Sequence, residues 1–438
     1  MFEKISFLSF SSLIRNRSIQ NFLFLAVIQS SNVLISIISM PLLIQSIGVD
    51  QFGLVNLALS VIILLNIVVG FGYNLSAPKQ VATNQKDKEA LSHVVSNVFS
   101  SKVLLAALST LFVFVAVFGL NLFQEYQMIL VFSVLLLFSE AILPLWFFQG
   151  MEKMKLISIA NIFSKLLFLL GIVLFIHSPG HSKWVNFMLG LSGISINIFL
   201  LTYIHTYLGI RVYRPEFSAI WQSLKDNILL FFSNLASHIS INGGLIILSF
   251  FSVAETLGMY SLAERVVMVI RLLPPMVFQA IIPRASALYK EDKQSFFSFL
   301  RKIHKSIVFT GCIVSVFTYY LAPWIIELLS RSILNEAVEF LRVLAFVPFF
   351  ASFNVVNVTI LISADQRKLM FKASWLMCVF MIFVSSTLTY FFDGIGLCYG
   401  ILATELFIFL LCTILLYRFD KSLITDFYGI TENSDNIS

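Results

Sequence analysis

Five cations and three carboxylates stand inside otherwise apolar stretches of this sequence, and they are the residues able to do chemistry there: Lys102, Lys165, Arg265, Arg271 and Arg342 against Glu140, Glu264 and Glu405, with Asp393 at a margin. Placing such a group at the centre of a bilayer costs about 2.5–3.5 kcal/mol on the insertion scale, so each needs a partner, a wet cavity or a short route to the surface. Arg271 lies about 13 residues from either end of its apolar stretch, roughly 19 Å along a helix and beyond the reach of snorkelling. Its neighbours Pro274 and Pro275 free backbone carbonyls, which is tolerated only beside a cavity. Lys102 and Lys165 stand about 8 residues, roughly 12 Å, from one end, so snorkelling and a cavity role both fit them. Arg342 is nearer an end and reads as a snorkelling residue. Arg265 can pair with Glu264 or with a ligand, and Glu140 and Glu405, near mid-span, can serve as counter-ions or as proton-coupling acids. Cations outnumber acids. Such a cavity suits an anionic cargo, because fixed positive charge in low dielectric attracts phosphate strongly and Arg can bind it bidentately.

Other chemistry is sparse. Cys312, Cys378, Cys398 and Cys412 occur singly in apolar runs with no CxxC and read as packing residues. His177 and His181 are four apart but straddle Pro179 and Gly180, which break the helix that would align them on a metal. No zincin HExxH, hydrolase GxSxG or Walker phosphate loop occurs, so enzymes built on those devices are excluded. Neither metal nor cofactor is expected.

The elements that must position these charges are membrane helices. Of 438 residues, 58% are hydrophobic and 12% charged, which excludes a soluble globular domain. Twelve spans of about 20 residues or slightly more need roughly 240–280 residues, close to that apolar total. Apolar runs interrupted by charge predict helices at 20–46, 52–77, 95–118, 127–148, 157–177, 184–208, 227–252, 258–283, 303–325, 338–363, 370–392 and 395–418. The net charge of +6 is too small and dispersed to argue for nucleic acid. Lys and Arg segregate, 22 into one alternate set of loops plus the ends, against Lys183 and Arg331 alone in the other. By the positive-inside rule both termini are cytoplasmic, which requires an even number of spans. Residues 1–19 lack a small-residue cleavage pattern and read as a cytoplasmic or interfacial lead rather than a signal peptide. Residues 419–438 read as a cytoplasmic tail. The longest non-membrane stretches, near 78–94, 209–226 and 284–302, are each under about 20 residues, too short for a catalytic domain outside the membrane.

The halves resemble each other. At an offset of 205, Gly53, Leu57, Ala58, Val61 and Pro78 fall on Gly258, Leu262, Ala263, Val266 and Pro283, while Asp50 falls on Glu255 and Lys79 on Arg284. With six spans per half the repeats run parallel about an axis along the membrane normal and frame a central cleft. The expected fold is therefore an all-α polytopic membrane protein, with 12 transmembrane helices in two pseudo-symmetric six-helix bundles, 20–208 and 227–418, joined by a cytoplasmic linker, 209–226. Gln29, Asn32, Ser36 and Ser39 share one face of the first helix, and Asn234, His238 and Asn242 one face of the seventh. Asn66, Asn74 and Gln279 add to the polar lining expected along the cleft. Such stripes face protein or water. Cleft lining and interhelical hydrogen bonding both account for them, and His238 reads as an interior histidine more readily than as a proton relay.

The stretch from Pro41 through IGVDQFGLVNLALS and FGYNLSAPKQVA to DKEALS resembles the amino-terminal signature of polysaccharide (O-antigen type) flippases in the multidrug/oligosaccharidyl-lipid/polysaccharide exporter superfamily. The WFFQGMEKMK run, Trp146 to Lys155, looks like that family's loop between the fourth and fifth helices, although Gly72 to Asn74 reads GYN in place of the usual GFN. Similarity is specific over about residues 20–175 and diffuse afterwards, where LGMYSLAERV and the helix count still agree. The resemblance implies a V-shaped pair of six-helix bundles in a bacterial inner membrane. Such a protein would move an undecaprenyl-pyrophosphate-linked oligosaccharide from the cytoplasmic to the outer leaflet by alternating access, beside a polysaccharide polymerase and chain-length regulator as possible partners. Lys102 falls where family members carry a basic residue in the third helix. Arg271, Lys165 and Arg265 as pyrophosphate-binding cations rest on depth and sign alone. A multidrug cation antiporter of the same superfamily is the main alternative, disfavoured by the cation excess. A membrane glycosyltransferase or ligase is disfavoured by the short loops.

Overall fold

In lipid a backbone must satisfy its own polar groups, and an apolar stretch of some twenty residues does so as a helix. The computed structural model describes residues 17–428, and every regular element among them is helical. Most of the expected lead, 1–16, and the end of the tail, 429–438, lie outside the described residues. The chain divides into two compact units, one ending at Leu235 and the next beginning at Ala236. The first contains α1 (Arg17–Gly70), α2 (Tyr73–Thr83), α3 (Lys88–Phe114), a broken span of α4 (Gln127–Ser133), α5 (Leu135–Ile142) and α6 (Leu145–Gly150), then α7 (Met154–Phe175), α8 (Ser182–Thr206) and the start of α9 (Phe217–Asn242). The second contains the end of α9, α10 (Gly244–Leu248), α11 (Ala254–Ile270), α12 (Leu273–Glu291), α13 (Lys293–Ser330), α14 (Asn335–Leu344), α15 (Val347–Ser363), α16 (Arg367–Phe419) and α17 (Lys421–Tyr428).

Two of these helices are too long to be single spans. The 54 residues of α1 would extend about 80 Å, against a hydrocarbon core of about 30 Å. A bend at Gly48, with φ 85° and ψ 164°, divides it into two legs, using a conformation open to glycine alone. The 53 residues of α16 bend at Asp393, whose carboxylate accepts a hydrogen bond from Ser252. Nine helical stretches among the described residues are long and apolar enough to cross a membrane. Dividing the two bent ones and adding α9 makes the structure compatible with twelve spans.

The stretches expected outside the membrane are not bare connections. Much of 78–94, 209–226 and 284–302 is helical, since α2, α3, α9, α12 and α13 all run beyond the apolar stretches. Hydropathy marks where a chain leaves lipid, whereas caps and backbone hydrogen bonds decide where the helix ends. Asp87 caps α3 by accepting from the amides of Glu89 at 2.9 Å and Ala90 at 3.0 Å. Asp292, the residue 205 positions later, caps α13 by accepting from the Gln294 amide at 2.9 Å. Hydrogen bonds from Ser295 and from the Gln294 amide hold the Asp292 carboxyl below its usual range. Each half also interrupts a helix at a two-residue turn, Phe71–Gly72 and Arg271–Leu272, before a segment carrying Pro78 or Pro283. Pro274 and Pro275 thus occupy the first turn of α12, where a missing N–H costs nothing.

The segment 209–216 forms no regular element and is pinned to α3, with the amide of Arg211 donating to Ser92 Oγ at 3.1 Å and that of Tyr213 to Ser96 Oγ at 2.7 Å. The first half of α9 packs on the same unit. Phe231 stacks on Phe71 with centroids 4.4 Å apart, and Ser223 Oγ bonds Tyr73 Oη at 2.9 Å.

The WFFQG segment of α6 buries Trp146, Phe147 and Phe148. Gly150 meets α2 so closely that a Cβ there would stand 2.6 Å from both Pro78 O and Val81 Cβ. Gly150→Ala is expected to destabilise the protein by about 1–3 kcal/mol through overpacking, read as a lowered unfolding midpoint in detergent. An unchanged midpoint would mean that α2 and α6 can part without loss.

Candidate functional site

Six of the residues singled out from sequence meet at one place in the first unit. A cavity of about 280 Å³ is lined by Gln29 and Asn32 of the first leg of α1, Asn66 of its second leg, Ser139 and Glu140 of α5, Asn161, Ser164 and Lys165 of α7, and Gly193 and Asn197 of α8. The third helix supplies Lys102, whose Nζ donates to Glu140 Oε1 at 3.3 Å. The Lys102 side chain is 1% exposed and that of Glu140 23%, so the ammonium sits in protein while the carboxylate borders the cavity. At an effective dielectric of about 20 the attraction across this distance is about 5 kcal/mol, against a desolvation cost of several kcal/mol for each ion. The pair roughly breaks even, so stability alone does not explain it.

Amides organise the cavity wall. Asn161 Nδ2 donates to Ser31 Oγ at 2.9 Å and to Asn32 Oδ1 at 3.2 Å, tying α7 to α1. Asn197 Nδ2 donates to the Ser139 carbonyl at 2.9 Å, tying α8 to α5. That contact needs Gly193, since a Cβ there would fall 2.2 Å from Ser139 Oγ. Asn66 Oδ1 is buried with no hydrogen-bond partner.

The second unit holds a separate charged centre. Arg271, at the turn between α11 and α12, forms an ion pair with Glu405 of α16, their side chains 21% and 6% exposed. Two turns earlier, Glu264 accepts from Tyr260 Oη at 3.1 Å and feels the charges of both Arg265 and Arg271. Tyr260 is fully buried.

These pairings correct the expectation of a cavity with unneutralised cations. Lys102 and Arg271 each hold a carboxylate, because burying an ammonium or guanidinium alone costs more than helix packing supplies. Other expected lining residues stand outside this cavity. Asn74 is exposed on α2 and Gln279 on α12, while Asn234 is half-buried on α9. His238 is exposed and pairs within its own helix, with Asn242 Nδ2 3.4 Å from its Nδ1. Ser39 Oγ donates to the Ser36 carbonyl at 3.1 Å, a bond internal to α1. Arg342 lies over the Tyr319 ring at 5.4 Å and faces a separate cavity with Glu327 and Glu339. Among the described residues no group of three or more His, Cys, Asp or Glu could hold a metal ion.

Sequence reasoning missed Ser139, Asn161, Ser164, Gly193, Asn197 and Tyr260. A signal existed for several. Asn161, Ser164 and Lys165 follow helical spacing, as do Asn186, Gly190, Gly193 and Asn197.

The sequence profile described as polysaccharide biosynthesis protein matches residues 18–289. A protein of Escherichia coli (strain K12), named as a candidate O-antigen transporter, is 24% identical over 390 residues, spanning 88% of this chain and 93% of that protein. One of the same name from Shigella dysenteriae is 25% identical over 398 residues, spanning 89% and 98%. The fold superposes on an inward-facing multidrug resistance MATE family transporter of the MOP superfamily with a TM-score of 0.75, at 14% identity, covering 94% of this chain and all of that one. It superposes on the lipid II flippase MurJ, in an inward closed conformation, with a TM-score of 0.70, at 16% identity, covering 95% and 94%. The fold is thus that of the MOP exporters, and with a family match across more than half its length, this multi-pass membrane chain belongs to the polysaccharide biosynthesis protein family.

Proposed function

We propose that this protein is a transporter that carries an oligosaccharide linked to undecaprenyl pyrophosphate from the cytoplasmic to the outer leaflet of a bacterial inner membrane. The observation that carries the reading is the Lys102–Glu140 pair beside an amide-lined cavity, at membrane depth, in a chain of a polysaccharide biosynthesis family. The O-antigen naming of the relatives and the lipid II flippase among the fold neighbours support the cargo class.

In this mechanism the repeats 20–208 and 227–418 rock in alternating access, with both termini cytoplasmic, while the polyprenyl tail stays in lipid. Lys102, Lys165, Arg265 and Arg271 replace the water that the pyrophosphate loses. Glu140 and Glu405 hold Lys102 and Arg271 in place when no cargo is bound, so the cations remain charged and positioned in a low-dielectric interior. An inside-negative potential favours outward movement of the anionic head by about 2.3 kcal/mol per charge per 100 mV.

The test is leaflet exchange of a fluorescent polyprenyl-pyrophosphate oligosaccharide in proteoliposomes, together with restoration of surface glycan in a strain lacking its own flippase. Exchange at the rate of protein-free vesicles and failed restoration would overturn the reading. Drug resistance conferred on the same cells would instead favour a cation antiporter.

A further inference from the structure

Arg342 takes no part in the transport reading, and its surroundings have a chemistry of their own. It is half-buried on α14, and its Nε is covered by protein with no acceptor, which leaves the terminal nitrogens of the guanidinium to meet a ligand. The cavity it lines, about 450 Å³, lies within the second unit between the end of α13 and the start of α14. Two exposed carboxylates share that cavity, Glu327 of α13 and Glu339 of α14, with Ser332 and Asn335 from the turn. Among the described residues neither carboxylate forms an ion pair with Arg342. Opposite charges that line one cavity without closing on each other suit a ligand carrying both signs, since a bare anion would meet the carboxylates and a metal ion the guanidinium. The charges are also ordered in depth. α14 begins at Asn335, and Arg342 stands three residues beyond Glu339, about 4.5 Å further into the span. A phospholipid headgroup has its phosphate next to the glycerol and any amine outermost, so only a zwitterionic headgroup matches this order. We propose that the cavity holds the headgroup of a phosphatidylethanolamine in the outer leaflet, with the phosphate on Arg342 and the ammonium on Glu327 and Glu339. The ammonium has three N–H donors for the carboxylates, whereas a choline headgroup has none and a glycerol headgroup brings no cation. The positive-inside rule puts this end of α13 outward, away from Lys293, Arg301, Lys302 and Lys305. Leu321, Trp324 and Leu328 are exposed along one face of α13 beside the cavity, giving an acyl chain a surface and placing a tryptophan at headgroup level.

The test is native mass spectrometry of the full-length protein, released from detergent micelles holding equimolar phosphatidylethanolamine, phosphatidylcholine and phosphatidylglycerol of matched chains. The wild type should retain the ethanolamine lipid at least fivefold over each of the others. Free phosphoethanolamine in excess should not displace it, because the chains are part of what binds. Glu327→Gln with Glu339→Gln changes two exposed positions, where substitution costs little stability, and should bring the ethanolamine lipid down to the level of the choline lipid. Arg342→Gln, checked for an unchanged unfolding midpoint in lipid-free detergent, should weaken retention of both zwitterionic lipids at least fivefold. Equal retention of the three lipids, a preference for phosphatidylglycerol, displacement by the free headgroup, or a double glutamine variant that keeps the preference would each overturn the proposal. Retention abolished by EDTA would do the same by marking a metal site. None of these readouts involves transport, so the site stands or falls apart from the transport reading.

Discussion

Lys102→Ala is expected to cost about 3 kcal/mol of stability and to lower the amount of protein in the membrane, because it strands the Glu140 carboxylate without its partner. Breaking a buried pair by removing one member typically costs about 3–5 kcal/mol, and the 23% exposure of Glu140 places this case at the lower end. Lys102→Met combined with Glu140→Leu removes both charges and keeps the volume, so its stability is expected to return to within about 1 kcal/mol of the wild type. Transport should not return with it. That separation is the informative result: unfolding in denaturant measures the first effect and leaflet exchange the second. A charge-free double variant that still transports would mean that Lys102 serves the fold alone.

Arg271→Ala is expected to abolish transport, with Arg271→Lys retaining part of it, since a point charge survives but the planar two-pronged donor does not. The Glu405 partnership complicates the simple version. Glu405 is 6% exposed, so alanine at Arg271 leaves a buried carboxylate and the protein level itself should drop. Arg271→Ala with Glu405→Gln removes that penalty. At wild-type levels this double variant should transport at least tenfold less, about 1.4 kcal/mol or more in effective binding. Normal surface glycan in cells carrying it would take Arg271 out of the site. Glu405→Gln alone should fold and leave Arg271 charged, which separates a counter-ion from a residue that must itself gain and lose a proton.

The depth argument located Lys102, Glu140, Lys165, Arg271 and Glu405, because the bilayer makes an ionisable residue at mid-span costly wherever it stands. It had no means of pairing them. Lys102 and Glu140 are 38 residues apart, and Arg271 and Glu405 are 134 apart, so no helical spacing links either pair. Asn66 and Asn32 were legible as polar residues in apolar helices, but so were Asn74 and Gln279, which the structure leaves exposed. The helix ends went unread for another reason. Charge density reports the lipid boundary, and helices capped by Asp87 and Asp292 continue past it.

The membrane class, the approximate spans, the duplicated halves and the set of costly charges follow from the sequence alone, because lipid imposes hydrophobic length and charge penalties residue by residue. Which of those charges meet, and that five amides close on a single cavity, was decided by tertiary packing. The period of a helix sets which of its residues share a face. Its rotation against its neighbours is set by close contacts such as Gly193 on Ser139 and Gly190 on Leu135, where only a missing Cβ lets two helices approach, and such contacts exist only once the helices are together.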